Sequence, residues 1–396
     1  MISNKNFATI LLAGSALFIG SPAMASGPDI LSGLPIFRSE APSQPSVQDL
    51  KGDDSFRVTF NGRTGLMLGY HTGNLSGGPA SAGSVLNYGV NGVHPNGLID
   101  NNFEEDYWSI STNYTRFGFK AEGDSALGAF TARIEADFNT SAGNVANTGA
   151  AGDVLRIRHA YGQVGMILAG QTNSLWSEGQ PYLSNWDWNG DPLSPGNNIT
   201  RRQQLRVTLE PAPGIKAAVA IEDPSSTVDP EFFDITANIQ LSAGPADIVV
   251  SGILGFDDES TVATDEDGWA VAASASVDLG PLLLTGLGVY SDDQNLAWHS
   301  SHPLNTVLLD GDSWGAGGSL SGPLSETMTW HAGGSYTAKS DGLVDFAVIY
   351  GTGSVEWSPM PQYSIVGQVV YEQANNTTLN VDSDAWSFLN YWMYKF

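Results

Sequence analysis

The sequence predicts an all-β protein, a 16-stranded antiparallel transmembrane β-barrel, and three observations support this fold class. First, short runs alternate between apolar and polar residues, as strands do when one face meets water and the other an apolar medium. Second, tight turns rich in Pro and Gly alternate with long polar loops, which predicts antiparallel hairpins. Third, the last run is aromatic and ends on Phe396. Hydrocarbon offers no hydrogen bonds to a bare strand edge, so such a sheet must close into a barrel.

The N-terminal part of the chain reads as a targeting segment followed by an extension. Residues 1–25 combine a basic residue, a short apolar run and the small-residue pattern AMA, which predicts a secretory signal peptide. No later stretch has the eighteen or more successive apolar residues of a transmembrane helix. Residues 26–54 show no hydrophobic period and are expected to form a periplasmic N-terminal extension. Residues 55–396 are then the barrel.

The first strands carry arginine on their polar face. Over residues 56–70, Phe60 and Leu68 share one parity, whereas Arg57 and Arg63 share the other. The apolar parity slips within residues 108–120, which predicts a β-bulge near residue 113.

The next strands repeat this pattern. Over residues 130–138, Phe130 and Ile134 alternate with Arg133. Over residues 155–161, Arg156 and Arg158 form the polar parity, so His159 is expected to share the outward parity of Ile157.

The C-terminal half alternates tight turns with long acidic loops. The turns fall at residues 211–214, 243–246, 279–281, 321–325 and 358–362. With this rule the predicted strands begin near residues 56, 106, 127, 153, 166, 201, 214, 232, 246, 268, 281, 312, 326, 344, 362 and 384. Sixteen is an even number, as closure requires when both chain ends lie on one side.

Charge and cysteine content exclude several classes of protein. The formal net charge is −26, so nucleic acid is excluded as a partner. The chain has no cysteine, which excludes disulfides, thiol catalysis and thiolate metal sites. His299 and His302 have metal-ligand spacing but no third ligand nearby, so no metal site and no cofactor is expected. No serine, histidine and acid pattern singles out a catalytic set, so an enzyme is not expected.

An unusual insert separates two of the strands. Residues 171–200 are too long for an ordinary hairpin loop and too aromatic for a solvated one, so the insert should fold against another surface. Its aromatic residues are Trp176, Tyr182, Trp186 and Trp188, and its acidic residues are Glu178, Asp187 and Asp191. The tryptophans could pack the loop against the wall, lie at a membrane interface or contact a solute.

Basic residues are concentrated in the first half of the barrel, and after residue 216 only Lys339 and Lys395 remain against twenty-four acidic residues. The polar parity of the early strands selects ten basic residues for the barrel interior: Arg57, Arg63, Arg116, Lys120, Arg133, Arg156, Arg158, Arg202, Arg206 and Lys216. Some of them should pair with interior acids such as Glu135, Asp137 or Glu210. The whole set predicts a locally positive wall in an acidic protein.

Two stretches resemble a known family. Residues 115–138, TRFGFKAEGDSALGAFTARIEADF, resemble the second turn region of Gram-negative trimeric porins. Residues 155–176, LRIRHAYGQVGMILAGQTNSLW, followed by Arg202 and Gln203, are similar to porins of the DcaP type. The resemblance implies three barrels per assembly and a third external loop, residues 171–200, that folds inward to narrow each pore. DcaP-type channels are associated with small organic anions, including dicarboxylates.

From these features we expect an outer-membrane porin of a Gram-negative bacterium, through which small hydrophilic solutes diffuse passively. If the acidic residues of the insert face the arginines across a narrow gap, the transverse field orients dipolar and charged solutes, and the local positive charge favours organic anions such as carboxylates. The alternatives are a non-selective or weakly cation-selective general porin, a barrel hydrolase and a surface anchor. The expected partners are these solutes, outer-membrane lipid, lipopolysaccharide and two further copies in a homotrimer. Acidic external loops could hold divalent cations loosely.

Overall fold

The computed structural model of the 396-residue chain describes most of the predicted barrel. The described residues are 56–74, 107–112, 115–137, 155–181, 183, 201–223, 233–256, 268–292, 312–340, 345–376 and 381–396. Among them no helix is long and apolar enough to span a membrane.

The described residues form seventeen β-strands. The first nine are β1 (Phe56–Asn74), β2 (Tyr107–Ser111), β3 (Arg116–Ser125), β4 (Gly128–Asp137), β5 (Arg156–Val164), β6 (Ile167–Asn173), β7 (Arg201–Ala212), β8 (Ile215–Glu222) and β9 (Asp234–Ala243). The others are β10 (Ala246–Gly255), β11 (Gly268–Asp278), β12 (Leu283–Asp292), β13 (Ser313–Ser325), β14 (Met328–Ser340), β15 (Asp345–Met360), β16 (Tyr363–Asn376) and β17 (Val381–Lys395).

All strands belong to one closed antiparallel sheet, which confirms the predicted fold class. β1 pairs with β17 on one side and with both β2 and β3 on the other, so β2 and β3 are two parts of one strand of a 16-stranded barrel. Arg63 faces Arg116 and Met67 faces Ser111. Between these pairs the β2–β3 strand has one residue more than β1, as a bulge near residue 113 requires.

The two faces of the sheet differ in exposure. Large apolar side chains such as Phe119, Ile134 and Leu205 point outward and are at least half exposed. Residues of the other parity point inward, and many of them are buried, among them Arg158 and Arg206. The outer face is therefore apolar, as the face of a barrel in lipid must be.

Tight turns join the strands at one end of the barrel, which we call the short-turn end, and both β1 and β17 meet there. The closing seam includes the last residue, because the Gly62 amide donates to the Phe396 carbonyl at 2.9 Å and the Phe396 amide donates to the Gly62 carbonyl at 3.0 Å. The Phe396 ring packs on Phe60 with centroids 5.7 Å apart. The long connections leave from the other end.

The register of β4 and β5 corrects one prediction. Glu135 faces His159 and Ala136 faces Ile157, so Arg158 is an extra residue in β5. This bulge turns His159 to the same inner face as Arg158, where it is buried and its Nδ1 lies 2.9 Å from Thr172 Oγ1. The prediction that His159 points outward is therefore wrong, because strict alternation does not continue through a bulge.

We predict that Gly62→Ala weakens the closing seam. A Cβ at Gly62 would lie 2.7 Å from the main-chain oxygen of Arg116 and 2.7 Å from Cζ of Phe396. Overpacking of this kind typically costs about 1–3 kcal/mol. Electrophoresis in dodecyl sulfate after heating should therefore show loss of the folded band at a lower temperature. Gly286→Ala is the matched control, since a Cβ there meets nothing within 4 Å. Equal transition temperatures for the two variants would contradict this prediction.

Candidate functional site

The candidate site is the inner wall formed by β1, β3, β4, β5, β7 and β8. Lys120 faces Thr59 on one side and Arg133 on the other, which places it on the inward parity. By the same register the ten predicted basic residues all lie on the inner face: Arg57, Arg63, Arg116, Lys120, Arg133, Arg156, Arg158, Arg202, Arg206 and Lys216. We call this set the basic arc.

Glu135 of β4 is the centre of the arc. Its carboxylate receives Arg158 Nε at 2.6 Å and Arg133 Nη2 at 2.7 Å, and Arg116 Nη1 lies 3.5 Å away. Glu135 is only 3% exposed. A buried carboxylate is costly unless it is paired, and three guanidinium groups more than compensate one negative charge.

Asp137, two residues further along β4, binds two more arginine side chains. Arg156 donates to it through Nε at 2.9 Å and Nη2 at 2.7 Å, in the bidentate geometry that guanidinium and carboxylate groups favour. Arg158 Nη1 reaches the same carboxylate at 2.5 Å, so Arg158 links Asp137 to Glu135. The bulge in β5 lies at this junction.

Toward the short-turn end the arc is more open. Glu122 lies between Arg57 Nη2 at 3.0 Å and Lys120 Nζ at 2.8 Å. The Arg57 side chain is 62% exposed, so solvent screens this pair strongly. Arg63 faces Arg116 across the β1–β3 pair, and its Nη1 lies 3.8 Å from Met393 Sδ.

The arc continues onto β7. Arg202 forms an ion pair with Asp234 of β9 and donates to the carbonyl of Asp223 at 3.2 Å. Arg206 donates to Gln204 Oε1 at 2.9 Å. Both arginines are buried, and Arg206 Nη2 also donates to the main-chain oxygen of Asn173, at the end of β6, at 2.9 Å.

The insert begins at residue 174, because β6 extends to Asn173; the predicted boundary at residue 171 was too early. Its described part consists of residues 174–181 and 183. Glu178 forms ion pairs with Arg206 and with Lys216 Nζ, the latter at 2.8 Å. Glu178 therefore contacts these cations directly on one wall and does not face them across a gap. Tyr182, Trp186, Asp187, Trp188 and Asp191 lie outside the described residues.

Polar side chains of β8, β9 and β10 hold the insert. The Leu175 amide donates to Glu222 Oε1 at 2.9 Å. Asn238 Nδ2 donates to the carbonyl of Leu175 at 3.2 Å and to that of Glu178 at 2.8 Å. In addition, Gln180 Nε2 donates to Ser251 Oγ at 2.9 Å. We call Glu222, Asn238 and Ser251 the polar anchor. The sequence analysis did not identify these residues, although their inward parity in β8, β9 and β10 could have indicated them.

Trp176 of the insert is 2% exposed and lies in an apolar cluster. The cluster contains Trp176, Leu183, Ile253, Ala270, Ala272, Leu287, Val289 and Val348. Its wall residues come from β10, β11, β12 and β15, so Trp176 packs the insert against the inner wall. Of the alternatives for this tryptophan, packing against the wall is the one that the contacts support.

The electrostatic environment of Glu178 favours its charged form. Burial raises the pKa of this carboxyl, but the charges of Arg206 and Lys216 and their hydrogen bonds outweigh burial, so the pKa lies below its usual value. Within the described residues no three His, Asp or Glu side chains are grouped to hold a metal ion.

Comparison with known proteins gives a family and a fold. A family model described as "Porin subfamily" matches residues 89–391. The structure is similar to the outer-membrane channel DcaP of Acinetobacter baumannii, with a TM-score of 0.69 and 16% identity over 88% of this chain and 100% of that chain. It is also similar to OmpT of Vibrio cholerae, with a TM-score of 0.57 and 11% identity over 88% and 100% of the two chains. For OmpF of Salmonella typhi in complex with daunomycin, the TM-score is 0.52 and the identity 9%, over 87% and 99%. No protein of curated function matches the sequence.

We predict that the insert loosens from the wall in acid. Because the pKa of Glu178 is depressed in the docked state, its contribution to docking is present above the usual glutamate value of 4.5 and is lost as the pH falls through the docked value. Hydrogen exchange of peptides covering residues 174–180, corrected for intrinsic rates, should lose protection over that range.

The control for this experiment is Glu178→Gln, which cannot titrate at this position. Its protection should be lower than that of the wild type at neutral pH and should change little on acidification. If the wild type and the variant lose protection in parallel, the pH dependence comes from other groups.

Proposed function

The chain belongs to the porin subfamily, and from this premise we propose that its inner wall selects for small organic anions as they diffuse passively through the barrel. Family and fold make the protein a β-barrel channel of the outer membrane and not an enzyme. The basic arc supports a preference for anions within this channel.

One observation carries the proposal: four carboxylates of the arc each form ion pairs with more than one cation. Glu135 pairs with three arginines, and Asp137, Glu122 and Glu178 pair with two cations each. Shared pairing fixes each guanidinium in place without cancelling its charge. The local potential on this wall is therefore expected to be positive although the whole protein has a formal net charge of −26.

The sign of the potential in the narrow part of the channel depends on which charged groups lie closest to it. Charges separated by more than about 8 Å of salt solution are largely screened at physiological ionic strength. Acidic residues in the long external loops should therefore contribute less at the narrow part of the channel than guanidinium groups on its wall. Arginine also binds carboxylates through a planar fork, which suits small organic acids.

By analogy with the third external loop of porins, the insert, predicted as residues 171–200, is proposed to fold into the barrel and border the narrowest part of the channel. Three features support this role: Glu178 binds the arc directly, the polar anchor binds both main-chain and side-chain groups of the insert, and Trp176 packs on the apolar wall. Glu178 then acts chiefly as a tie to Arg206 and Lys216. The remaining acidic and aromatic residues of the insert are proposed to border the solute path.

Several expectations from the sequence complete the proposal. Residues 1–25 would be removed on export, and residues 26–54 would form the periplasmic extension. The working assembly would be a homotrimer in outer-membrane lipid, without a resident cofactor. Acidic external loops would hold divalent cations loosely and through them contact lipopolysaccharide phosphates, since carboxylates are hard oxygen ligands.

We predict that replacing Arg156, Arg158 and Arg206 together by serine lowers the preference for anions. The change removes three cations and leaves Asp137 with no arginine among these partners. In planar bilayers with a salt gradient, the reversal potential should move toward the cation side, with an anion-to-cation permeability ratio lower by about twofold or more.

Arg57→Ser is the matched control, because Arg57 lies on the same face but is mostly exposed and near the short-turn end. It should shift the reversal potential much less than the triple variant does, since solvent screens an exposed charge. An unchanged potential in the triple variant would contradict the role of the arc. A wild type without ion preference, or with a weak preference for cations, would favour a general porin, and an absence of single-channel steps would favour a plugged surface anchor.

A further inference from the structure

The insert reaches wall strands far from its own β6 and the polar anchor. Leu183 lies against the inner faces of β13 and β14, where Gly317 and Gly333 occupy inward positions. Gly317 faces Ser335 and Gly333 faces Ser319, so the two glycines are diagonal neighbours on one face. Together they form a shallow depression, which we call the glycine seat.

The seat has no room for larger residues at these positions. A Cβ at Gly317 would lie 2.5 Å from Leu183 Cδ1, and a Cβ at Gly333 would overlap the main-chain oxygen of Leu183. The same point at Gly333 is 3.0 Å from Ser319 Cβ and 3.2 Å from His331 Cε1. The main chain at Leu183 can therefore approach β14 this closely only because Gly333 has no side chain, and the Leu183 side chain occupies the space that a Cβ at Gly317 would need.

Apolar wall residues connect the polar anchor to the seat. Ile253 of β10, Ala270 and Ala272 of β11, and Leu287 and Val289 of β12 point inward and are at most 5% exposed. Apolar side chains on the inner face of a water-filled barrel are unfavourable unless another apolar surface covers them. Trp176 and Leu183 belong to the same buried cluster and cover this strip.

We propose that Gly317 and Gly333 are positioning residues that set the width of the channel by fixing how deeply the insert sits against β13 and β14. This inference rests on the proposed function, because it treats the insert as one side of the solute path. Leu183 docked in the seat holds this part of the insert against β13 and β14, away from the strands that carry the basic arc. Any side chain in the seat lifts the insert toward the arc.

The test is the single-channel conductance of Gly333→Ala. With the polar anchor intact, the added methyl group displaces the main chain at Leu183 toward the arc, and the unit conductance should fall by about one third. Gly351→Ala is the matched control, because Gly351 faces outward on the neighbouring β15 and a Cβ there meets nothing within 4 Å. Its conductance should equal that of the wild type.

Leu183→Ala is the complementary variant. It keeps the seat empty but removes the side chain that fills it, so the insert should dock less firmly and the open-channel current should be larger or noisier than in the wild type. Folding of each variant is checked by the heat-dependent shift in electrophoresis. If Gly333→Ala does not fold, Leu183→Ala alone still tests the seat.

The possible results distinguish a failure of the glycine seat from a failure of the proposed function. A wild type that conducts, together with Gly333→Ala and Leu183→Ala variants whose currents match Gly351→Ala, would overturn the role of the seat and leave the proposed function intact. A wild type without single-channel steps would overturn the proposed function itself. A lower conductance in Gly333→Ala with an unchanged thermal transition supports the seat.

Discussion

The whole structure depends on the pairing of every strand with two neighbours. A barrel wall in hydrocarbon cannot leave backbone groups bare, so β1 must pair with β17 as well as with β2 and β3. In a closed sheet each side chain points either outward to the lipid or inward to the barrel interior. Because the outer face is apolar, nearly all chemical variety in the described strands is concentrated on the inner face, where the chain can vary it without weakening its hold in lipid.

The inner face is divided into two regions with different physical tasks. The region around Glu135 and Asp137 carries closely spaced guanidinium groups, which would repel one another without the carboxylates between them. The region around Ile253 and Leu287 is apolar and is covered by the insert. Glu178 joins the two, since it belongs to the insert but binds cations of the arc. A single loop thus covers the apolar region and is tied to the charged region through one carboxylate.

Sequence reasoning recovered the barrel well and the site only in part. Each of the sixteen predicted strand starts lies within three residues of an observed one, since period and turn composition are local properties. The inward parity of the arginines follows from the same periodicity. The contacts of the insert with Glu222, Asn238 and Gly333 could not be predicted in this way, because they join strands that are distant in sequence and depend on the depth at which the loop packs.

The bulge at Arg158 has a consequence for how such barrels diversify. One additional residue in β5 redirects His159 and Tyr161 from the lipid side to the water side, although the residues themselves are unchanged. Gain or loss of a single codon in this strand would therefore exchange a whole series of side chains between the two media at once. Evolution has here a route to new pore linings that requires no substitution at all, and comparisons of such proteins residue by residue would overlook it.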